Sequence, residues 1–165
     1  MDARHILRAA PHDMPTLIDY SKARFNYEIL EQIEAGIELL GFEVKSIKAK
    51  QGSLEGAYVI VRGGEAFVLN MFVPPFQEKN TPGDYEPRRN RRLMLNKKEI
   101  AHLANIDGSG KGSGGLTIVP ISVYNKGNLI KVSIAIVRGK KKYDKRTSIK
   151  KRESDREISR VMKDR

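Results

Sequence analysis

Cysteine is absent from the 165 residues, which excludes disulfides, thiol nucleophiles and cysteine-based zinc sites together and suits a reducing compartment. Histidine is scarce as well. His5, His12 and His102 are scattered, with no spacing that sets two of them on one side of an element around a metal, so surface positions are the better reading. No apolar run approaches the roughly 18 residues a membrane helix needs. The N-terminal MDARHILRAAPHDMPTLID has no apolar core long enough for a signal peptide, so a cytoplasmic location and no membrane partner are expected. Nucleotide-loop chemistry is also missing. Gly110 to Gly115 satisfies GxGxxG, but it follows a helical pattern and precedes a strand pattern, the reverse of a dinucleotide turn. A Walker loop fails because Gly112 stands where Ser or Thr must follow Lys111.

What the chain has in excess is positive charge. Thirty-one Lys and Arg oppose 20 Asp and Glu, net +11, which favours a polyanionic partner. The excess is unevenly placed: residues 138 to 165 hold 13 basic and 5 acidic residues, net +8, and residues 1 to 137 hold net +3. Arg88, Arg89, Arg91, Arg92, Lys97 and Lys98 crowd around a loop and a helix start, where the helix dipole also favours phosphate. RNA contact is the expectation there. Lys140 to Lys142, Lys145-Arg146 and Lys150 to Arg152 repeat the pattern in the tail.

Periodicity divides the chain into a leader over residues 1 to 20, a folded domain over 21 to 138 and a basic tail over 139 to 165. Pro11 and Pro15 mark the leader as mobile. Tyr27 to Leu40 satisfies strand and helix spacing nearly equally, with Gly36 and Gly41 tilting towards strand. Phe42 to Lys50 is a short helical candidate. Ala57 to Arg62 and Glu65 to Val73 flank Gly63-Gly64, a hairpin signal. Pro74, Pro75, Pro82 and Pro87 mark a long loop. Asn96 with Glu99 forms an N-cap and capping-box pair for a helix carrying Ile100 and Leu103. A Gly/Ser linker, Asp107 to Gly115, precedes two further strand runs, Leu116 to Tyr124 and Leu129 to Val137, joined by Asn125 to Asn128. About five strands with hairpin-like connections and two short helices predict a mainly β, OB-fold-like antiparallel barrel with short flanking helices. The tail has too few apolar residues to fix its backbone and is expected to be disordered when free, although Ile158, Val161 and Met162 share one side of a potential helix. Glu28, Glu31, Glu34 and Glu38 admit a carboxylate or magnesium reading, but Glu28, Glu34 and Glu38 share one strand face, and a solvated face is preferred.

At Glu34 the run EAGIELLGFEVKSIKA resembles the signature of the SsrA-binding proteins, also called small protein B, of bacterial ribosome rescue. NMFVPPF from Asn70, RRLMLNKKEI from Arg91 and GLTIVPISVYNKGNLIKVSIAIVRGKKKYDKR from Gly115 agree with that family in order and spacing, so the resemblance runs from about Lys22 to the C-terminus. It implies an OB-type barrel, with residues 27 to 40 mostly strand. It implies binding to the tRNA-like part of transfer-messenger RNA and delivery of that RNA to stalled ribosomes, with elongation factor Tu joining through the shared RNA. A monomer is expected. No catalytic residue, metal or cofactor is implied. The family's Glu in EAG falls on Glu34, the Leu and Asn of its LLLN motif on Met94 and Asn96, and its basic positions on Lys48 and Lys131. Lys22, Ala23 and Arg24 carry over from its N-terminal basic motif, whose usual opening Asn is Tyr20 here. With Arg91 and Arg92 from the charge cluster, these complete the expected RNA-binding set. Lys140, Lys141, Tyr143, Asp144, Lys145 and Arg146 match the start of the tail that becomes helical in the messenger path near the small-subunit decoding centre. A general OB-fold RNA chaperone or ribosome-associated protein is the alternative.

Overall fold

A computed structural model describes residues 14 to 107 and 114 to 163. Its centre is a pair of long antiparallel partners for the ambiguous segment. Tyr27–Ile37 is a strand, β2, and pairs with β7, Leu129–Gly139, which in turn pairs with β6, Leu116–Lys126. Helix spacing loses here because β2 has an apolar strand beside it: Ile33 lies opposite Ile134 and Ala35 opposite Val132, all buried. A register shift between Ile29 and Glu31 changes the parity of β2. Ile29 therefore packs with Ala135 and Val137, whereas Ile33, Ala35 and Ile37 enter the main core with Val132, Ile134 and Ile136. β7 is buried on both faces, and each fully buried aliphatic side chain contributes about 1.5–3 kcal/mol. Helix α1, Ala23–Asn26, closes the smaller cluster through Ala23.

The glycine hairpin forms as expected, β3 (Tyr58–Arg62) pairing with β4 (Glu65–Leu69). Gly63 and Gly64 have φ of +61° and +75°, the two positive values that a two-residue primed turn requires. Two four-residue strands were not evident in the sequence. β1, Thr16–Asp19, pairs with β6, so the leader boundary at residue 20 does not hold for these residues; residues 1 to 13 lie outside the described part. β5, Arg91–Met94, pairs with both β2 and β4. The mainly β, antiparallel class stands, with seven strands among the described residues in the order β1-β6-β7-β2-β5-β4-β3. The sheet curls until β3 approaches β6, but no ladder joins its two edge strands into a closed barrel. Helix α3, Lys97–Asp107, packs against β3 and β6 and buries Leu103. Its N-terminus has the expected box: the Glu99 N–H donates to Asn96 Oδ1 at 2.9 Å, and the Asn96 N–H donates to Glu99 Oε2 at 3.0 Å.

Helix α2, Gly41–Lys48, carries a buried ion pair that locks the proline-rich loop. Glu43 and Arg91 side chains both have zero exposure, and Arg91 donates to Glu43 Oε1 through Nε at 3.0 Å and through its terminal nitrogen at 2.8 Å. Arg89 donates to both carboxylate oxygens at 2.9 and 2.7 Å, and Tyr85 donates to Oε1 at 3.0 Å. Arg91 also reaches the carbonyls of Met71 and Pro87, so each charge and most donors are satisfied.

The tail, expected to be disordered when free, is helical in this structure: α4 spans Lys142–Lys163. Local chemistry accounts for the difference. No Gly or Pro interrupts it, Asp144 lies in the first turn, and Glu153–Arg156 and Glu157–Arg160 place an acid one turn before a base. Its tie to the body is narrow: the Arg152 guanidinium lies 5.8 Å from the centroid of the Phe25 ring. Among the described residues, no helix is long and apolar enough to cross a membrane.

Candidate nucleic-acid interface

The strand registers gather several of the expected residues on one outer sheet face. Glu34 on β2 is opposite Ser133, and Gly36 is opposite Lys131 on β7 and Met94 on β5, so alternation places Glu34, Lys131, Met94 and Arg92 on the same side. Gly36 is what lets β5 lie so close, since a Cβ there would sit 3.2 Å from both Cβ and Cε of Met94. Met94 is 58% exposed, an apolar projection among charges.

Glu34 does not belong to a solvated acidic face, contrary to the strand-face reading. Its side chain is only 16% exposed. The buried Tyr124 hydroxyl donates to Oε2, and Lys126 Nζ lies 2.9 Å from Oε1 and 3.2 Å from Oε2. Burial alone pushes the Glu34 carboxyl up, but these two donors, with the charges of Lys126 and Lys131, bring it below the usual carboxylate range. Burial and the adjacent carboxylate push the Tyr124 phenol well up, so it stays a donor.

Other expected residues are placed differently. Arg91 is a correction: it points into the core and is spent on Glu43, because alternation along Arg91-Arg92-Leu93-Met94 turns the first and third residues inward. Arg92 faces outward and pairs with Glu65 at 2.8 Å. Arg88 lies 5.3 Å over the Phe72 ring and donates to Asn70 Oδ1 at 2.9 Å. Lys48 is exposed at the end of α2. Asn96 is exposed, with its Oδ1 engaged in the α3 cap.

Lys22 and Arg24 lie at the other end of β2, in and just before α1, which separates them from Glu34 by roughly 20 Å of strand at about 3.3 Å per residue. Lys22 pairs with Glu55 at 3.1 Å. This second patch is continuous with the root of the tail: the Lys140 N–H donates to the Asn26 carbonyl at 3.0 Å, and its Nζ donates to the Arg24 carbonyl at 2.8 Å. Lys141, Asp144 and Arg146 are exposed along the first turns of the tail and Lys145 is half-buried; of Tyr143 only the backbone place in α4 is described. His102 is exposed, as expected, and its Nε2 lies 2.8 Å from Glu31 Oε2. His5, His12 and most of the Gly/Ser linker fall outside the described residues.

Sequence reasoning missed Tyr124 and Lys126, which anchor Glu34. Tyr124 ends the expected strand run and Lys126 falls in the expected connection, but β6 continues to Lys126, and alternation with Ser122 places both on one side of it. It also missed Glu43, which reads as one more acid in a helical stretch until the fold brings Arg89 and Arg91 to it.

Comparison with known proteins decides the family. The family model described as SmpB protein matches residues 17–164. The chain belongs to the SmpB protein family. The SsrA-binding protein of Streptococcus equi subsp. zooepidemicus is 46% identical over 147 residues, which is 89% of this chain and 92% of that protein. That of Microcystis aeruginosa is 43% identical over 147 residues, covering 89% and 93%. A chain of the solved structure described as "tmRNA-SmpB: a journey to the center of the bacterial ribosome" is 36% identical, with a TM-score of 0.62 over 78% of this chain and 87% of that one. The sequence resemblance and the mainly β antiparallel architecture therefore agree with the family.

Proposed function

We propose that this SmpB-family protein binds the tRNA-like domain of transfer-messenger RNA and delivers it to stalled ribosomes for trans-translation, with the tail occupying the empty messenger channel. It acts as a binding factor and not as an enzyme, in keeping with relatives that are named for binding SsrA. The observation that carries the reading is the outer sheet face on which Lys126, Lys131, Arg92 and the exposed Met94 surround a neutralised Glu34. Cations beside an apolar projection suit an RNA backbone and the edge of an unstacked base. The tail supplies the second half of the function. Its net +8 is carried on a segment rooted at Lys140, which bonds to the carbonyls of Asn26 and Arg24, and that concentration of charge suits a phosphate-lined path. Elongation factor Tu joins through the shared RNA, and the protein acts as a cytoplasmic monomer.

Filter binding of transfer-messenger RNA against unrelated RNAs of equal length, with RNA integrity and magnesium dependence followed, tests the reading. Preferential, magnesium-independent retention of intact transfer-messenger RNA is expected. Equal retention of all RNAs would favour the general RNA chaperone instead, and RNA cleavage would overturn both.

A further inference from the structure

We propose that Lys126 is a phosphate-contacting residue of this face, and that Glu34 and Tyr124 are positioning residues that hold its ammonium for the RNA backbone. The inference rests on the RNA-binding reading above and assigns roles within that site. A carboxylate on an RNA-facing surface repels the backbone unless it is paired with a cation, and Glu34 is so paired. Both of its oxygens are within 3.2 Å of Lys126 Nζ, and Oε2 also accepts the Tyr124 hydroxyl. No oxygen is left to greet a ligand first, because the Glu34 side chain is 16% exposed and the Lys126 side chain 41%. A polyanion approaching the face therefore meets the ammonium above the carboxylate.

The stack is built from the inside outward. Tyr124 is buried at 3% exposure, directly across from Lys131, and supplies a rigid donor. Glu34 rests on that donor, and Lys126 rests on Glu34. A lysine ammonium has three N–H donors, so one remains for a phosphate oxygen after both carboxylate contacts are made. Lysine is otherwise a flexible point charge that loses much rotamer freedom on binding. Holding it in place beforehand reduces that loss. Lys131, on the same face and close enough to lower the Glu34 carboxyl, provides a second cation for the same or the next phosphate.

The test is binding of the tRNA-like RNA by the full chain over a range of salt, for wild type, Lys126→Gln, Lys126→Arg, Tyr124→Phe and the Lys126→Gln/Tyr124→Phe double variant. Circular dichroism confirms folding, and Lys126, at a hairpin end, tolerates exchange. Lys126→Gln is expected to lower the slope of log affinity against log salt by about one phosphate contact and to weaken binding about threefold to tenfold near physiological salt. Lys126→Arg restores the slope. Tyr124→Phe keeps every charge and weakens binding in the wild-type background, yet has no further effect once Lys126 is Gln. An unchanged slope in Lys126→Gln overturns the proposal. Additive effects in the double variant overturn the positioning role of Tyr124. If wild type shows no preference for this RNA, the functional reading fails first and takes this inference with it.

Discussion

Replacing Glu43 by Gln keeps the side chain's volume and removes its charge from a site where Arg91 has no exposure and, among the described residues, pairs with no other carboxylate. The result is an uncompensated guanidinium in the core, for which about 3–5 kcal/mol of lost stability is expected at neutral pH. Acid should expose the same interaction in the wild type. Burial raises the Glu43 carboxyl, but hydrogen bonds from Arg89 and the Leu40 N–H together with Arg91 bring it down from 4.5 to about 2. A carboxyl held lower in the folded state contributes stability that is complete above pH 4.5 and is lost as pH falls towards 2. At roughly 1.4 kcal/mol per unit, the full contribution is about 3 kcal/mol, which agrees with the pair-breaking figure. Urea unfolding followed by circular dichroism checks both. With an m-value of about 1.5 kcal/mol/M, the Glu43→Gln midpoint should fall by about 2 M at pH 7, and the gap from wild type should narrow steadily from pH 4.5 to pH 3. A midpoint shift below about 0.5 M, or a gap that stays constant into acid, would refute the account of Glu43 and Arg91 as a mutually neutralising buried pair.

Three further outcomes separate folding from binding. Arg92→Gln should leave the unfolding midpoint nearly unchanged, because its pair with Glu65 is half-exposed, and should flatten the salt dependence of RNA binding; Arg91→Gln should do the reverse, destabilising the fold. Asn96→Ala should cost about 1 kcal/mol of stability through the α3 cap, read by thermal unfolding, whereas Asn96→Asp keeps the cap. Gel shifts of the Asp variant therefore report any direct RNA contact of the amide nitrogen. Truncation after Lys140 should keep the sheet folded and still able to bind transfer-messenger RNA, since Lys140 retains its two bonds to the carbonyls of Arg24 and Asn26. A reconstituted tagging assay should then lose product, and wild-type tagging by the truncated chain would make the tail a passive extension.

The arginine cluster explains how far the sequence could be read. Arg88, Arg89, Arg91 and Arg92 are identical in chemistry and nearly adjacent, so charge density alone treats them as one RNA-binding patch. In the fold, Arg88 lies over Phe72, Arg89 and Arg91 grip Glu43, and Arg92 faces outward. The divergence comes from a four-residue strand too short for its alternation to stand out, and from partners 46 and 48 residues away in sequence. Features whose causes are local were legible: the Gly63-Gly64 turn needs positive φ, and the Asn96–Glu99 box closes within one helical turn. The parity of β2 was not, because the register shift at Ile29 depends on β7, and without it Glu34 reads as one tooth of a solvated acidic row. That shift also connects fold to function. It puts Ile33 and Ala35 in the core and so fixes Glu34 on the outer face beside Tyr124, Lys126 and Lys131. A one-residue insertion at Leu30 would cancel or double the shift. The charged stack would then fail together with the core, because strand alternation allows neither to move alone.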